Sequence, residues 1–281
     1  MPTHHDKKDS ALHVNEGIEQ PSSINEKAVQ KLKNKRVHEL SIQEYFEGIK
    51  QGNRMILSKA ITLIESSLPA HQNMAQEIIE KCLPLSGNSV RVGITGVPGV
   101  GKSTFIESFG KYLIEQKGKK VAVLAIDPSS NKNKGSILGD KTRMENISTH
   151  KDVFIRPSPA GNELGGVHRK TRETILLCEA AGFDTIFIET VGVGQSEIDI
   201  VQVADSTLLV MSPGQGDGVQ AFKAGIMEIA DIFVINKSDN PSAHRLKREV
   251  KAAMELSHPE EGDWWPPIVS TIATKKEGLE D

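Results

Sequence analysis

The sequence predicts an α/β fold, with a mainly parallel β-sheet flanked by helices and a helical subdomain in front of it. Three observations support this prediction. Short apolar segments alternate with helical patterns from Val90 onward, a glycine-rich loop joins the first of these segments to a helix, and amphipathic patterns precede them. Such alternation is typical of parallel sheets that helices cover on both faces.

The chain before the alternating pattern divides into two parts. Residues 1–36 are polar, rich in lysine and without periodicity, so we expect a disordered tail there. Residues 37–88 form the predicted helical subdomain, because Ser41 and Glu44 have the spacing of a capping box and apolar residues then recur at helical intervals in three runs. Residues 89–281 are the predicted α/β domain.

The strands and helices of this domain alternate along the chain. After the first strand at Val90–Thr95, apolar segments predict strands at 121–126, 153–156, 185–189, 207–211, 232–235 and 268–271. Helical patterns lie at 104–116, 167–181, 219–230 and 241–256. We expect the carboxyl ends of the strands to meet at one edge of the sheet, which is where ligands bind in such folds.

The composition excludes several kinds of protein. Of the 281 residues 37% are apolar, the formal net charge is -3 and no basic face is evident, so we expect no nucleic acid and no membrane as partner. Cysteine occurs only as Cys82 and Cys178, too few for a disulfide framework. Without a signal-peptide pattern or an apolar stretch long enough to span a bilayer, the expected location is cytoplasmic.

A glycine-rich loop follows the first predicted strand. Its residues are Gly96, Val97, Pro98, Gly99, Val100, Gly101, Lys102 and Ser103, and Thr104 continues into a helix. The backbone N–H groups of such a loop point at nucleotide phosphates, the lysine reaches the outer phosphates, and the serine hydroxyl binds Mg²⁺. The sequence therefore predicts a P-loop NTPase.

Acidic residues end two of the predicted strands. Asp127 and Glu189 each follow an apolar segment, and Gly192 comes shortly after the second of them. Because Mg²⁺ prefers oxygen ligands, Ser103 and one or two of these carboxylates suffice for a magnesium site, while Gly192 can offer its N–H to a γ-phosphate. The alternative is that each acid only caps the helix that follows.

The motif Asn236-Lys237-Ser238-Asp239 comes directly after the strand at Ile232–Ile235. Asp239 can accept hydrogen bonds from N1–H and the 2-amine of guanine, a pair of donors that adenine lacks on that edge. Near the end of the chain, the spacing of Ala273 would set its backbone N–H against guanine O6. The sequence therefore predicts GTP and GDP, with Mg²⁺, as ligands.

A polar loop at residues 135–144 lies between the two acidic strand ends. The γ-phosphate and Mg²⁺ can order such a loop as a switch, with Asp140 as a metal-binding or water-positioning carboxylate and Arg143 as a phosphate contact. A solvated loop is the alternative. Val193 stands where many GTPases have a glutamine, and Gln195 lies two residues further on, so we expect slow hydrolysis by the chain alone.

Together these motifs resemble those of one family. Residues 41–281 are similar to the GTPase chaperones of adenosylcobalamin-dependent methylmalonyl-CoA mutase, whose bacterial members were once labelled arginine/ornithine transport kinases. The resemblance is carried by residues 93–104, 127–130, 135–144, 189–197 and 236–239. It implies that an acyl-CoA mutase of the methylmalonyl-CoA mutase type is the partner, and that GTP hydrolysis serves the loading, gating or protection of the mutase's cobalamin cofactor.

The resemblance also implies roles for individual residues. Lys102 and Ser103 would hold phosphate and Mg²⁺. The acidic residues around the metal and the switch loop would be Asp127, Asp140 and Glu189.

Three questions stay open from the sequence. Family members form a homodimer through a C-terminal helical arm, and this sequence ends at Asp281, so a homodimer and a monomer are both compatible with it. A kinase of a transport protein is an alternative function, although a guanine motif argues against an ATP-dependent kinase. A metal-insertion GTPase is another, although the cysteines and histidines are dispersed.

Overall fold

The computed structural model describes residues 40–127, 144–159, 164–190, 200–214, 226–256, 262 and 264–280. The strands in these residues are β1 (Val90–Thr95), β2 (Val121–Asp127), β3 (Val153–Pro159), β4 (Thr185–Thr190), β5 (Ser206–Met211), β6 (Ile232–Ile235) and β7 (Ile268–Ser270). The α-helices are α1 (Ile42–Lys50), α2 (Arg54–Glu65), α3 (Pro69–Cys82), α4 (Lys102–Lys117), α5 (Glu145–Ser148), α6 (Leu164–Ala180) and α7 (Ala243–Leu256). Short 3₁₀ turns lie at Leu83–Leu85, Ile200–Gln202, Ile226–Ile229 and Ala273–Lys275.

The described strands form one parallel sheet in the order β3-β2-β4-β1-β5-β6-β7. The prediction of an α/β fold with a mainly parallel sheet is therefore confirmed. Strands β2 to β4 lie on one side of β1 and β5 to β7 on the other, so the direction of winding changes at β1. In open α/β sheets this change of direction leaves a crevice at the carboxyl edge, where ligands bind.

Apolar residues cover both faces of the sheet. Along β4, Ile186 and Ile188 belong to the core on one side and Phe187 to the core on the other, as the alternation of side chains in a strand requires. Phe187 stacks on Phe109 of α4 with ring centroids 5.6 Å apart. All six residues of β4 are buried, and its three consecutive apolar residues, 186–188, show no alternation with polar ones, which is typical of a central strand in a parallel sheet.

Helices α1 to α3 pack with α6 on one face of the sheet and share its apolar core. The predicted capping box is present at the start of α1: the backbone N–H of Ser41 donates to Oε2 of Glu44 at 2.7 Å, and the backbone N–H of Glu44 donates to Oγ of Ser41 at 3.3 Å. The boundary predicted between 37–88 and 89–281 stays a prediction. None of the helices in the described part of the chain has the length and apolar character of a membrane span.

Two boundaries differ from the prediction for reasons that involve proline. The sequence pattern ends the second helix at Leu68 and Pro69, whereas α2 ends at Glu65 and Pro69 is the first residue of α3. Proline suits this first position, because an N–H there has no acceptor within the helix and its absence costs nothing. The third strand continues past Arg156 to Pro159. This strand lies at the edge of the sheet, where a proline can occur without breaking the ladder.

The last two predicted helices differ from the structure in extent. Of the helix predicted at 219–230, the described residues show the 3₁₀ turn Ile226–Ile229, and 219–225 lies outside them. The helix predicted at 241–256 begins at Ala243, two residues later. The Asn240 side chain accepts a hydrogen bond from the backbone N–H of Ser242 at 2.9 Å and forms the turn that precedes it.

Candidate functional site

The predicted phosphate loop connects β1 to the first turn of α4. Gly96 has φ 141°, and a Cβ there would lie 2.1 Å from the carbonyl oxygen of Val210. Gly101 has φ 95°, and a Cβ there would lie 2.7 Å from Nδ2 of Asn236. Both positions therefore require glycine. The second position also shows that the phosphate loop and the Asn-Lys-Ser-Asp motif are in direct contact.

The remaining loop residues divide between core and surface. Val97 and Val100 are buried and belong to the same apolar core as the phosphate helix, α4. Pro98 and Gly99 are exposed, and Thr104 is half-buried on α4. The two valines therefore fix the loop on the sheet, while the segment between them faces outward.

The side chain of Lys102 is buried within the phosphate loop. It is 8% exposed, and its Nζ donates hydrogen bonds to the carbonyl oxygens of Gly96 and Val97 at 2.5 and 3.3 Å. Lys102 is the first residue of α4, so its ammonium group adds to the positive end of the helix dipole. The loop thus concentrates positive charge where phosphates would bind.

Ser103 and Glu189 meet at the carboxyl edge of the sheet. Oγ of Ser103 donates to Oε1 of Glu189 at 2.9 Å, and Glu189 is 4% exposed. Next to them, Oγ1 of Thr190 donates to Oγ1 of Thr95 at 3.2 Å. Hydroxyl and carboxylate oxygens are the ligands that Mg²⁺ prefers, so this pair fits a magnesium ion.

The other predicted acidic and switch residues are only partly described. Asp127 ends β2, and the preceding residue, Ile126, pairs with Thr190, so the backbone of Asp127 lies at the same sheet edge as Glu189. Its side chain falls outside what the structure describes, as do residues Asp140, Arg143, Gly192 and Gln195. Their roles stay predictions.

Asn236 connects the base motif to two other loops. The side chain is 3% exposed, and its Nδ2 donates to the carbonyl oxygen of Val100 at 3.1 Å. Its Oδ1 accepts from the backbone N–H of Ala273 at 3.2 Å and from Oγ1 of Thr271 at 3.4 Å. The structure therefore brings the phosphate loop, the base motif and the loop at Ala273 together through one amide side chain.

The two charged residues of the motif point to different neighbours. Lys237 has a positive φ of 56°, and its Nζ donates to the carbonyl oxygen of Gly99 at 2.8 Å. Asp239 is half exposed and pairs with Lys275 at 3.5 Å. An exposed carboxylate beside the Ala273 loop is accessible to a purine base. This geometry is compatible with the predicted recognition of guanine.

Sequence reasoning missed two side chains of this site. Thr271 contacts Asn236, and Oγ of Ser108 donates to the carbonyl oxygen of Ala273 at 2.6 Å. Ser108 is 165 residues from its partner along the chain and lies in the middle of α4. No local pattern of residues could have indicated this contact.

The two cysteines take no part in the site. Both are buried, and burial raises the pKa of the Cys82 thiol to about 11. Complete burial, with the charge of neighbouring Glu179, also raises the pKa of the Cys178 thiol above its ordinary value. Burial and the raised pKa values keep both thiols protonated near neutral pH, so neither has the thiolate character of an activated nucleophile.

The fold and site define a class of protein. A parallel sheet carries a phosphate loop with a buried lysine at its central strand, and an Asn-Lys-Ser-Asp motif at the end of β6 contacts that loop. This combination is that of a GTPase with the P-loop fold. The sequence profile described as methylmalonyl-CoA mutase-associated GTPase MeaB matches residues 57–281, and the chain belongs to this family.

Individual relatives agree with this assignment. A probable GTPase of Mycobacterium tuberculosis is 51% identical over 234 residues, which cover 82% of this chain and 69% of that protein. The mitochondrial methylmalonic aciduria type A homolog of Mus musculus is 43% identical over 251 residues, 85% of this chain and 60% of that protein. The crystal structure of an LAO/AO transport system kinase superposes with a TM-score of 0.70 at 35% identity and covers 85% of this chain and 71% of that one. The resemblance stated from the sequence motifs is therefore confirmed.

Proposed function

We propose that this GTPase is a chaperone of an adenosylcobalamin-dependent acyl-CoA mutase of the methylmalonyl-CoA mutase type, and that it assists the assembly, cofactor loading and protection of that enzyme. The observation that carries the proposal is the family match over residues 57–281, because it includes both the phosphate loop and the base motif. The family is described by its association with methylmalonyl-CoA mutase, and the mouse relative is named for methylmalonic aciduria.

The guanine nucleotide binds, in this proposal, across the carboxyl edge of the sheet. Its phosphates rest on the N–H groups of residues 96–104 and on Lys102, and its base lies between Asp239 and the backbone of Ala273. The contacts of Asn236 and Lys237 with Val100 and Gly99 support this arrangement, because they hold the phosphate-binding and base-binding parts at a fixed separation.

The magnesium ion is assigned to Ser103 and Glu189, with Asp127 and Asp140 as further acidic groups, directly or through water. Glu189 is buried and accepts a hydrogen bond from Ser103, so a carboxylate and a hydroxyl oxygen lie together at this edge, which supports their binding one cation. When bound, Mg²⁺ would neutralise charge that develops on the phosphate oxygens.

Hydrolysis proceeds by in-line attack of water on the γ-phosphate. The ammonium group of Lys102 and the loop N–H groups stabilise negative charge on the phosphates, and the N–H of Gly192 contacts the γ-phosphate. Asp140 and Gln195 orient the water, while Arg143 contacts phosphate. Turnover is slow for the chain alone, and binding of the mutase raises it by ordering the loops that carry these residues.

The test is to measure GTP hydrolysis in single turnover with and without a cobalamin-dependent acyl-CoA mutase, and to follow the complex by gel filtration. We expect co-elution that depends on the bound nucleotide and an increase in rate of about tenfold, within the usual range of coupling between two sites. A Lys102→Ala variant serves as the control for hydrolysis by contaminating enzymes. No complex and no change in rate, with any nucleotide, would rule out the chaperone role.

A kinase acting on a transport protein is a second candidate, favoured by the name of the solved structure that matches at 35% identity. The two candidates differ in the acceptor of the γ-phosphate. Radiolabelled GTP should release its label as inorganic phosphate if the chaperone proposal holds. Stable label on an added transport protein would support the kinase instead.

A further inference from the structure

We propose that Ser108 is a positioning residue for guanine recognition. In this proposal its hydroxyl holds the loop at Ala273 so that the backbone N–H of Ala273 faces O6 of the base. Ser108 lies in the middle of α4 and outside the phosphate-loop and base motifs. The inference rests on the proposed guanine site, because it assumes that Ala273 reads the base.

Three hydrogen bonds connect α4 to the phosphate loop by way of the base-binding loops. Oγ of Ser108 donates to the carbonyl oxygen of Ala273 at 2.6 Å. The N–H of Ala273 donates to Oδ1 of Asn236 at 3.2 Å, and Nδ2 of Asn236 donates to the carbonyl oxygen of Val100 at 3.1 Å. Val100 lies two residues before α4, so the chain of bonds leads from the middle of α4 back to the loop that precedes this helix.

Guanine O6 and Oδ1 of Asn236 would compete for the single N–H of Ala273. When the base takes this donor, the bond from Ala273 to Asn236 is weakened or lost. The carbonyl oxygen of Ala273 is unaffected by this exchange, since it accepts from Ser108 and from the backbone N–H of Lys276 at 3.2 Å. Ser108 is therefore the contact that ties the loop to α4 in both arrangements.

The position of the loop decides which base is accepted. When the backbone N–H of Ala273 faces position 6 of the purine, it attracts the 6-oxo group of guanine and repels the 6-amine of adenine. Ala273 opens a 3₁₀ turn of three residues, and the backbone pairing of Ile272 with Glu277 closes this turn without joining it to α4. The Ser108 hydroxyl, on a helix of sixteen residues, adds the hydrogen bond that fixes the turn relative to that helix.

The test compares GDP with the diphosphate of 2-aminopurine riboside, which keeps the 2-amine but lacks both O6 and N1–H. The missing N1–H removes the same bond to Asp239 in the parent protein and in each Ser108 variant, so the difference between these proteins reports on position 6. For Ser108→Ala, we expect the affinity for GDP to fall about three- to tenfold, as for loss of one hydrogen bond, and the affinity for the 2-aminopurine nucleotide to stay unchanged. Ser108→Thr keeps the hydroxyl and should bind GDP like the parent protein.

Glu115→Ala is the matched control, because Glu115 lies on the same helix in an exposed pair with Lys111. It should change neither affinity. An unchanged GDP affinity in Ser108→Ala would overturn the proposal, and so would an equal loss for both ligands, which would indicate general loosening of the site. If the parent protein bound both nucleotides equally, the assignment of Ala273 to O6 would itself be wrong.

Discussion

The hydroxyl of Ser103 donates a hydrogen bond to Oε1 of Glu189, with 2.9 Å between the two oxygens. This contact joins the first turn of α4 to the end of β4. Strands β1 and β4 are parallel neighbours, with Ile94 paired to Glu189, so the loop after β1 begins beside this carboxylate. The register of two strands therefore places a hydroxyl and a carboxylate where a divalent cation can bind both.

Replacing Glu189 with glutamine tests this magnesium assignment. Glutamine keeps an oxygen that can accept from Ser103 but removes the negative charge that would attract the ion. We expect the Mg²⁺ concentration for half-maximal GTP hydrolysis to rise by about tenfold or more. The measurement is a Mg²⁺ titration of the hydrolysis rate. Glu115→Gln removes an exposed carboxylate from α4 and should leave the titration unchanged; equal curves for all three proteins would contradict the assignment.

Asp239 should decide the base that the protein accepts. Asp239→Asn replaces two acceptors by one acceptor and one donor, which no longer match N1–H and the 2-amine of guanine but suit the 2-oxo group of xanthine. We expect the affinity for GDP to fall by about a hundredfold or more and the variant to prefer xanthosine diphosphate. Competition between the two nucleotides measures this preference. Glu249→Gln, an exposed change on α7, is the control, and a variant that still prefers GDP would refute the assignment.

The sequence predicted those parts of the site that are continuous in the chain. The phosphate loop and the base motif each lie within eight or fewer residues, and the apolar runs before them locate the ends of β1 and β6. Both motifs have the expected places on the sheet. The chemistry of such motifs depends on backbone conformation and local spacing, which one sequence can show.

Contacts between distant segments could not be predicted in this way. Ser108 and Ala273 are 165 residues apart, and Arg91 and Glu179 are 88 apart. Serine on a helix or glutamate near a helix end is common on protein surfaces, so the residue type alone gives no partner. Strand order and helix packing must be known before such pairs become visible.

The burial of both cysteines predicts low thiol reactivity. The pKa of Cys82 rises from 9.0 to about 11, and that of Cys178 rises as well, so the fraction of thiolate in the folded protein is small at mildly alkaline pH. We expect iodoacetamide to label the native protein at least about a hundredfold more slowly than the protein in concentrated urea. Mass spectrometry of both cysteine peptides gives the two rates. Rapid labelling of either thiol in the native protein would show that its site opens readily.

Glu179 lies on α6 and accepts the hydrogen bonds of a buried polar cluster at the start of β1, the end of that strand away from the phosphate loop. Its side chain is 1% exposed and accepts hydrogen bonds from the guanidinium group of Arg91, from the backbone N–H of Gly87 at 2.7 Å and from Oγ of Ser89 at 2.6 Å. These donors lie in the segment that leads from the helical layer into β1. Glu179 therefore fixes the entry to the strand that carries the phosphate loop.

Glu179→Ala should lower the free energy of unfolding by about 3 kcal/mol, because it leaves several donors without their acceptor. Arg91→Ala should cost less, about 1 to 2 kcal/mol, since the carboxylate keeps the donors of Gly87 and Ser89 and the guanidinium group is partly exposed. Urea unfolding curves measure both values. Glu249→Ala breaks an exposed pair with Arg245 and should cost no more than about 0.5 kcal/mol. If Glu179→Ala lowered the free energy of unfolding no more than this control, the hydrogen bonds to Glu179 would not stabilise the start of β1. Apolar packing against α6 would then be the interaction that holds this segment.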